Sequence, residues 1–154
     1  MNKKIPLLIL IIFSLTFFNA TSNNGNINFI SDQLNIDMDK RKSIFTGNVY
    51  AYNETLKVWS DIMVINLKIK KDEIKEILAS GNVKIIRLLE GSEIYGDKAK
   101  YSLEEGLIII TGNVTVKENG NQITGNELVV DLNNSSSIMV GTNSNRVEAL
   151  IIGN

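Results

Sequence analysis

The sequence contains no histidine and no cysteine, so the residues able to do chemistry are carboxylates, lysines, arginines and a few aromatics. That composition excludes imidazole acid–base catalysis, Ser-His-Asp and Cys-His nucleophiles, Cys/His zinc sites and disulfide frameworks. Neighbouring carboxylates occur at Asp37/Asp39, Asp72/Glu73 and Glu104/Glu105. General acid–base work needs two carboxyls converging in a pocket with separated pKa values. These pairs instead sit in turns or at strand ends, where a solvated charge is expected. Asp32, Asp61 and Asp97 recur at regular places along the chain and read as turn or strand-entry residues. Lys84, Arg87, Lys98, Lys100 and Lys117 admit two readings, a patch for an anionic headgroup or an ordinary solvated face. Trp59 and the four tyrosines are too scattered to predict a sugar-stacking platform. Asn53 and Asn113 head Asn-x-Thr sequons that nothing else supports. The recurrent Gly-Asn-Val triplets open no helix and therefore make no phosphate loop. No catalytic residue, cofactor or metal site is predicted.

The elements that carry these residues follow from composition and spacing. The 154 residues are 44% hydrophobic and 21% charged, with 16 basic against 17 acidic groups. That is the make-up of one globular domain with a real core. The near-neutral balance gives no footprint for nucleic acid. Lys3 and Lys4 precede an apolar run at 5–18, followed by small polar residues at 19–22. This is the layout of a secretory signal peptide. As a helix the run spans about 21 Å, short of the roughly 30 Å hydrocarbon core of a bilayer. Cleavage after Ser22 puts Ala20 and Ser22 at the two small-residue positions, and leaves 23–154 as a single exported, mildly acidic domain. The alternative is an uncleaved membrane anchor. The sole proline, Pro6, lies in the leader.

A repeat runs through the rest of the chain. One signal is Thr46-Gly47-Asn48-Val49, Ser80-Gly81-Asn82-Val83 and Thr111-Gly112-Asn113-Val114. The other is a small residue and then Asp or Asn, at Ser31-Asp32, Ser60-Asp61, Gly96-Asp97 and Gly125-Asn126. From each of these to the next glycine signal is 16, 21, 16 and 16 residues, the last ending at Gly141 without its Asn-Val. Three, five and seven residues beyond each small residue stand Leu34, Ile36, Met38; Met63, Ile65, Leu67; Ala99, Tyr101, Leu103; and Leu128, Val130, Leu132. All twelve are apolar or aromatic. Nine of the twelve interleaved positions are polar or charged, the exceptions being Ile62, Val64 and Val129. Period two of this kind puts the twelve on one face of a sheet. Val49 and Ala51, Val83 and Ile85, and Val114 and Val116 follow the same rhythm.

Turn residues at 39–42, 70–73, 104–106 and 133–135 fall midway between the signals, where hairpins must reverse. A glycine inside a strand pattern marks a bulge or bend, so each strand is expected to turn a corner there. Residues 68–78 are good helix formers by propensity, but the repeat register assigns them to a turn and strand. The expected fold is all-β, stacked antiparallel strands with a continuous apolar inner face and open first and last edges. Leu150-Ile151-Ile152 is a notably apolar terminal segment.

The alternation of Thr-Gly-Asn-Val with the stretch 96–114 (GDKAKYSLEEGLIIITGNV), behind a signal peptide in so short a chain, resembles the OstA-like family. The resemblance covers roughly 30–140 and is nearest to the family's small periplasmic lipopolysaccharide-transport members. It implies a twisted, half-open β-jellyroll whose apolar groove shelters the acyl chains of lipid A. It also implies partner domains of the same fold at the inner and outer membranes, and end-to-end association of copies. Under the resemblance, the twelve aligned residues from Leu34 to Leu132 become the acyl-lining positions. Physical chemistry is compatible, because burying acyl chains is favourable by about 0.8 kcal/mol per CH₂ and open strand edges invite β-augmentation. A membrane-anchored partner of the same fold, a β-helical enzyme acting on polysaccharide and a purely structural solenoid are the competing expectations.

Overall fold

The computed structural model describes residues 27–70 and 73–152. The predicted leader 1–22, its cleavage after Ser22 and the carboxylate Asp72 lie outside the described residues. Among the described residues ten strands form: β1 (Asn28–Ile30), β2 (Gln33–Asp37), β3 (Lys42–Tyr52), β4 (Leu56–Leu67) and β5 (Ile74–Arg87), then β6 (Ser92–Ser102), β7 (Leu107–Glu118), β8 (Asn121–Asp131), β9 (Ser136–Val140) and β10 (Glu148–Leu150). They make one antiparallel sheet, ordered β1-β3-β4-β5-β6-β7-β8-β10, with β2 also on β3 and β9 also on β8. The all-β expectation holds. Residues 74–78 are strand despite their helix propensity, because Ile77 pairs with Ile65 on one side and Tyr101 on the other. Two ladders of hydrogen bonds outweigh a preference of a few tenths of a kcal/mol per residue.

Each long strand is bent at the repeat signals. The ladder shifts register at Thr46/Val49, Trp59/Ile62, Ser80/Val83, Tyr95/Lys98 and Thr111/Val114. Gly47, Gly81 and Gly112 have φ of +80°, +78° and +79°, and the following Asn48, Asn82 and Asn113 are also left-handed. A Cβ on Gly47, Gly81 or Gly112 would collide with the carboxylate of Asp32, Asp61 or Asp97 respectively. Those carboxylates accept hydrogen bonds from the Asn48, Asn82 and Asn113 carboxamides at 2.8, 2.8 and 3.0 Å. The two sequence signals therefore clasp each other. The small residue before each Asp has its own reason. Ser60 is buried and its hydroxyl donates to the Ile62 carbonyl, while a Cβ on Gly96 would strike Ile110.

The corners divide the sheet into two layers. Layer one holds β2, β9 and residues 42–46, 62–67, 74–80, 98–102, 107–111 and 127–131. Layer two holds β1, β10 and residues 49–52, 56–60, 83–87, 92–96, 114–118 and 121–125. The halves face each other: Met63 and Ala79 of layer one cluster with Ala51 and Val83 of layer two, and Ile110, Leu128 and Val130 with Ile94 and Val116. At the fourth unit Gly141 has no Asn-Val, and a Thr142–Asn145 turn replaces the corner before β10 rejoins β8.

The outer face of layer one is less polar than a clean alternation requires. Ile44, Val64, Leu78, Ile109 and Val129 make a cross-strand row there, interrupted by Lys100.

The corner geometry separates two glycine substitutions. Gly81→Ala faces both the left-handed φ and the Asp61 carboxylate and is expected to lower unfolding free energy by about 2–3 kcal/mol. Gly91→Ala meets nothing within 4 Å at φ +64° and is expected to cost about 1 kcal/mol. Urea unfolding of the two variants checks the difference.

Candidate functional site: an apolar trough between the layers

Cross-strand partners share a face and bring side chains within contact, so the ladder itself shows what the interior is made of. One row across layer one runs Leu34, Phe45, Met63, Ala79, Ala99, Ile110, Leu128, Met139. The next runs Ile36, Ser43, Ile65, Ile77, Tyr101, Ile108, Val130, Ser137. Facing them, layer two contributes Phe29, Ala51, Val58, Ile85, Ile94, Val116, Ile123 and Ala149. Between the layers lies a cavity of about 190 Å³. Its layer-one wall includes Met63, Ile77, Ala79, Ala99, Tyr101, Ile108, Ile110 and Val130, and its layer-two wall includes Phe29, Ala51, Val58, Ile85 and Ile94.

Of the twelve sequence-aligned residues, Met63, Ala99, Tyr101 and Val130 line this cavity. Ile65 and Leu128 are buried and Leu67 and Leu132 half-buried, all outside its wall. Leu103 lies exposed in the hairpin after β6. Leu34 and Ile36 occupy the correct rows but are 49% and 58% exposed, and Met38, in the turn after β2, is 80% exposed. These three depart from an enclosed position because β2 is an edge strand and no strand among the described residues lies beyond it. Phe29, Val58, Ile77, Ala79, Ile94, Ile108 and Ile110 are wall residues that the alignment on the small residue passed over. Continuing the period of two backward from each Gly-Asn-Val finds Ile77, Ala79, Ile108 and Ile110.

One end of the cavity is polar. Arg87 continues the inward parity of Val83 and Ile85, its side chain is 1% exposed, and its guanidinium is 2.5 Å from the Glu90 carboxylate. Burial pulls the guanidinium pKa down, and Glu90 and Glu118 oppose that shift. Burial alone raises the Tyr101 hydroxyl above the ordinary phenol value.

The five basic residues considered as a patch do not make one. Arg87 is inside, Lys84 and Lys117 lie on the outer face of layer two, and Lys98 and Lys100 lie on layer one. Four of these five aromatics, in contrast, gather, while Tyr101 stays apart in the trough. Tyr52 stacks on Tyr50 and Tyr50 on Trp59 at centroid distances of 5.0 and 4.9 Å, and Lys84 bridges Trp59 to Tyr95. The expectation of scatter fails because the β3–β4 hairpin sets Tyr50 opposite Trp59. Their stacked faces pack on one another.

The carboxylate pairs do local work. Asp37 accepts from the Lys40 backbone N–H and ion-pairs with Lys40, and these contacts, the backbone bond first, hold its pKa below the ordinary value. Asp131 is lowered in the same sense by the Asn134 side chain and the Asn134 and Asn133 backbone N–H groups. Glu104 and Glu105 are exposed in a hairpin. Among the described residues no group of three or more carboxylates is placed to hold a metal ion.

A family model described as LptA/(LptD N-terminal domain) LPS transport protein matches residues 29–136. The lipopolysaccharide export system protein LptA of Haemophilus influenzae is 24% identical over 157 aligned positions, covering 98% of this chain and 91% of that protein. An uncharacterized protein of Rickettsia prowazekii is 24% identical over 127 residues, 81% of this chain and 88% of that one. Among solved structures, LptH of Pseudomonas aeruginosa, described as the LptA-homologous periplasmic component of the lipopolysaccharide transport device, superposes with a TM-score of 0.71. That likeness, at 13% identity, covers 84% of this chain and 96% of that one and concerns the fold.

The polar end of the cavity yields one expectation. Arg87→Met strands the Glu90 and Glu118 carboxylates in a buried setting and is expected to cost about 3 kcal/mol of unfolding free energy. Chemical denaturation at pH 7 measures it.

Proposed function

We propose a function from an established premise: the chain belongs to the LptA/(LptD N-terminal domain) LPS transport protein family. It is a non-enzymatic conduit in the periplasm that shields the acyl chains of lipopolysaccharide and links export components at the inner and outer membranes. Residues 1–22 are its cleaved export leader. The observation that carries this reading is the pair of rows across layer one, apolar from β4 to β8, with a cavity between them and layer two. A lipid tail placed there exchanges water for Met63, Ala99, Tyr101 and Val130, at about 0.8 kcal/mol per buried CH₂. Ile65 and Leu67 on β4 and Leu128 and Leu132 at β8 extend the same surface to either side, and Leu103 stands at the rim. Leu34, Ile36 and Met38 lie at the exposed end, where a tail would pass between neighbouring copies.

The open edges support the bridging half of the proposal. At one edge Ile30, Leu34, Ile36 and Met38 are exposed, and at the other Ile138, Val140 and Leu150. Strand β2 runs antiparallel to β3, and β9 antiparallel to β8. Alternation along the sheet makes β2 parallel to β8, so β9 of one copy meets β2 of the next in antiparallel sense. Stacked this way, the row ending at Met139 continues into Leu34 of the following copy, and the trough runs on. The same edges would pair with OstA-like domains of membrane-bound partners.

Two outcomes are expected. Ala79→Leu combined with Ala99→Leu fills the cavity and should weaken binding of lipopolysaccharide to the mature protein at least tenfold, with the circular dichroism spectrum unchanged; undiminished binding by the folded variant would overturn the trough as the binding site. The native protein is expected to form concentration-dependent oligomers in sedimentation velocity, and Ser137→Pro, which removes a ladder donor from β9, should shift them to monomer. Ser144→Pro, in the adjacent turn, should not.

A further inference from the structure

The inward-facing residues of layer two change character toward the free ends of the strands. Counting away from the corner, β5 presents Val83, Ile85 and then Arg87, and β6 presents Gly96, Ile94 and then Ser92. Strand β7 presents Val114, Val116 and then Glu118, and β8 presents Gly125, Ile123 and then Asn121. The ladder pairs Arg87 with Ser92 and Glu118 with Asn121, so the third residues form one cross-strand row. At the same end of layer one the inward residues are Leu67, Leu103 and Leu132, with the exposed Lys75 on β5. A polar lip and a largely apolar lip therefore bound one seam.

The polar lip is buried nonetheless. Arg87 is 1% exposed, Ser92 is fully buried and Glu118 is half-buried. The Ser92 hydroxyl and Glu118 Oε2 are shut off from solvent and have no hydrogen-bond partner among the described residues. Charge is unbalanced as well, since the Arg87 guanidinium is paired with Glu90 and Glu118 adds a second carboxylate to its field. Lys100, which also lines the cavity, is paired with Glu76. A buried polar group without a partner disfavours the closed arrangement, and water satisfies both groups once the lip parts from layer one.

The rest of the fold says where parting is easiest. Inboard of the lip, Ile94 and Val116 pack with Ile110, Leu128 and Val130 of layer one, and the clasped corners hold the spine. The free strand ends can separate with the least loss of apolar contact. Beside the lip, the hairpin joining β5 to β6 carries Leu89, which is 79% exposed and lines the cavity, and a Cβ on Gly91 would meet nothing within 4 Å. The Leu88 N–H donates to the Thr55 carbonyl at 3.0 Å, which ties this hairpin to its layer-two neighbour. Both that bond and the Arg87–Glu90 pair lie within layer two, so neither is broken when the seam opens.

We infer that the seam between the Arg87–Ser92–Glu118 lip and layer one is a gate, which swings open about the clasped corners and admits the tail of an amphiphile sideways into the cavity. Admission of a tail rests on the trough being the acyl site; the opening itself does not.

The chain contains no cysteine, so one introduced thiol reports on one position. Ser92→Cys places a thiol of similar size in the lip, and Val114→Cys places one near the corner, where the native residue is also almost completely buried. Under native conditions an aqueous maleimide is expected to label Ser92→Cys at least about a hundredfold faster, because local opening needs less free energy than global unfolding. Low concentrations of urea should accelerate labelling of Val114→Cys and leave that of Ser92→Cys nearly unchanged. Adding Glu118→Met removes the unpartnered carboxylate and should slow labelling of Ser92→Cys about tenfold. In the cysteine-free protein, Glu118→Met should likewise slow uptake of cis-parinaric acid in stopped-flow fluorescence about tenfold, with the final amplitude retained. Equal labelling rates with equal urea dependence would show that the lip opens only on global unfolding and would overturn the gate. Labelling of Ser92→Cys unaffected by Glu118→Met would overturn the polar lip as its cause. Slower labelling with unchanged uptake would overturn the sideways route. Absence of cis-parinaric acid binding by the native protein would overturn the trough and the route together, while the labelling contrast still decides whether the seam opens.

Discussion

The carboxamide–carboxylate hydrogen bond across each corner, Asn48 to Asp32, Asn82 to Asp61 and Asn113 to Asp97, is the interaction on which the rest of the molecule depends. It joins two residues that a flat ladder would leave apart, and it does so only because the glycine before each Asn adopts a left-handed φ. Without the bend, the sheet would present one long apolar face to water. With it, the two halves of every strand face each other, and the same alternation that makes a flat amphipathic sheet makes an enclosed interior. The exposed clasp contributes modestly by itself, on the order of 1 kcal/mol, but it recurs in register along the stack.

From that constraint follows a division of labour between the spine and the mouth. Near the corners the interior is tightly filled: Val49, Val83 and Val114 are almost completely buried, and Gly96 has no room for a Cβ beside Ile110. Farther from the corners the layers part, and the space between Met63, Ala79 and Ala99 on one side and Ala51 and Ile85 on the other is not filled. Small residues at Ala51, Ala79 and Ala99 are what keep it open. The polar cluster of Arg87 and Glu90 closes one end, so the cavity is greasy along its length and charged only at its lip. The unclosed edges complete the picture, since a sheet without a partner at either side is a poor stopping point for an assembly.

Much of this fold was legible in the sequence because period two and the Gly-Asn-Val spacing are local signals. The rows through Met63, Ala99 and Leu128, and through Ile65, Tyr101 and Val130, follow from alignment alone. Other features depended on which strand lies beside which. Tyr50 and Trp59 are nine positions apart, and only the register of the hairpin between them makes them stack. Arg87 has the inward parity of Val83 and Ile85, a signal available in the sequence, but grouping it with the surface lysines hid it. Leu34, Ile36 and Met38 carry the right pattern without the cover, because alternation reports a face and says nothing about whether another strand lies beyond. The corner clasp itself was present as two separate motifs; the matching separations of 16 residues from Asp32 to Asn48 and from Asp97 to Asn113 were the sign that they belong together.

The most direct test is to locate a bound acyl chain by intermolecular nuclear Overhauser effects, using protein labelled at isoleucine, valine and methionine methyl groups and an unlabelled single-chain lipid. The account requires contacts from the chain to Met63, Ile77, Ile108, Ile110 and Val130, and none to Ile44, Val64, Ile109 or Val129 on the outer face of the same strands. Contacts confined to the outer row, or spread equally over both faces, would contradict it.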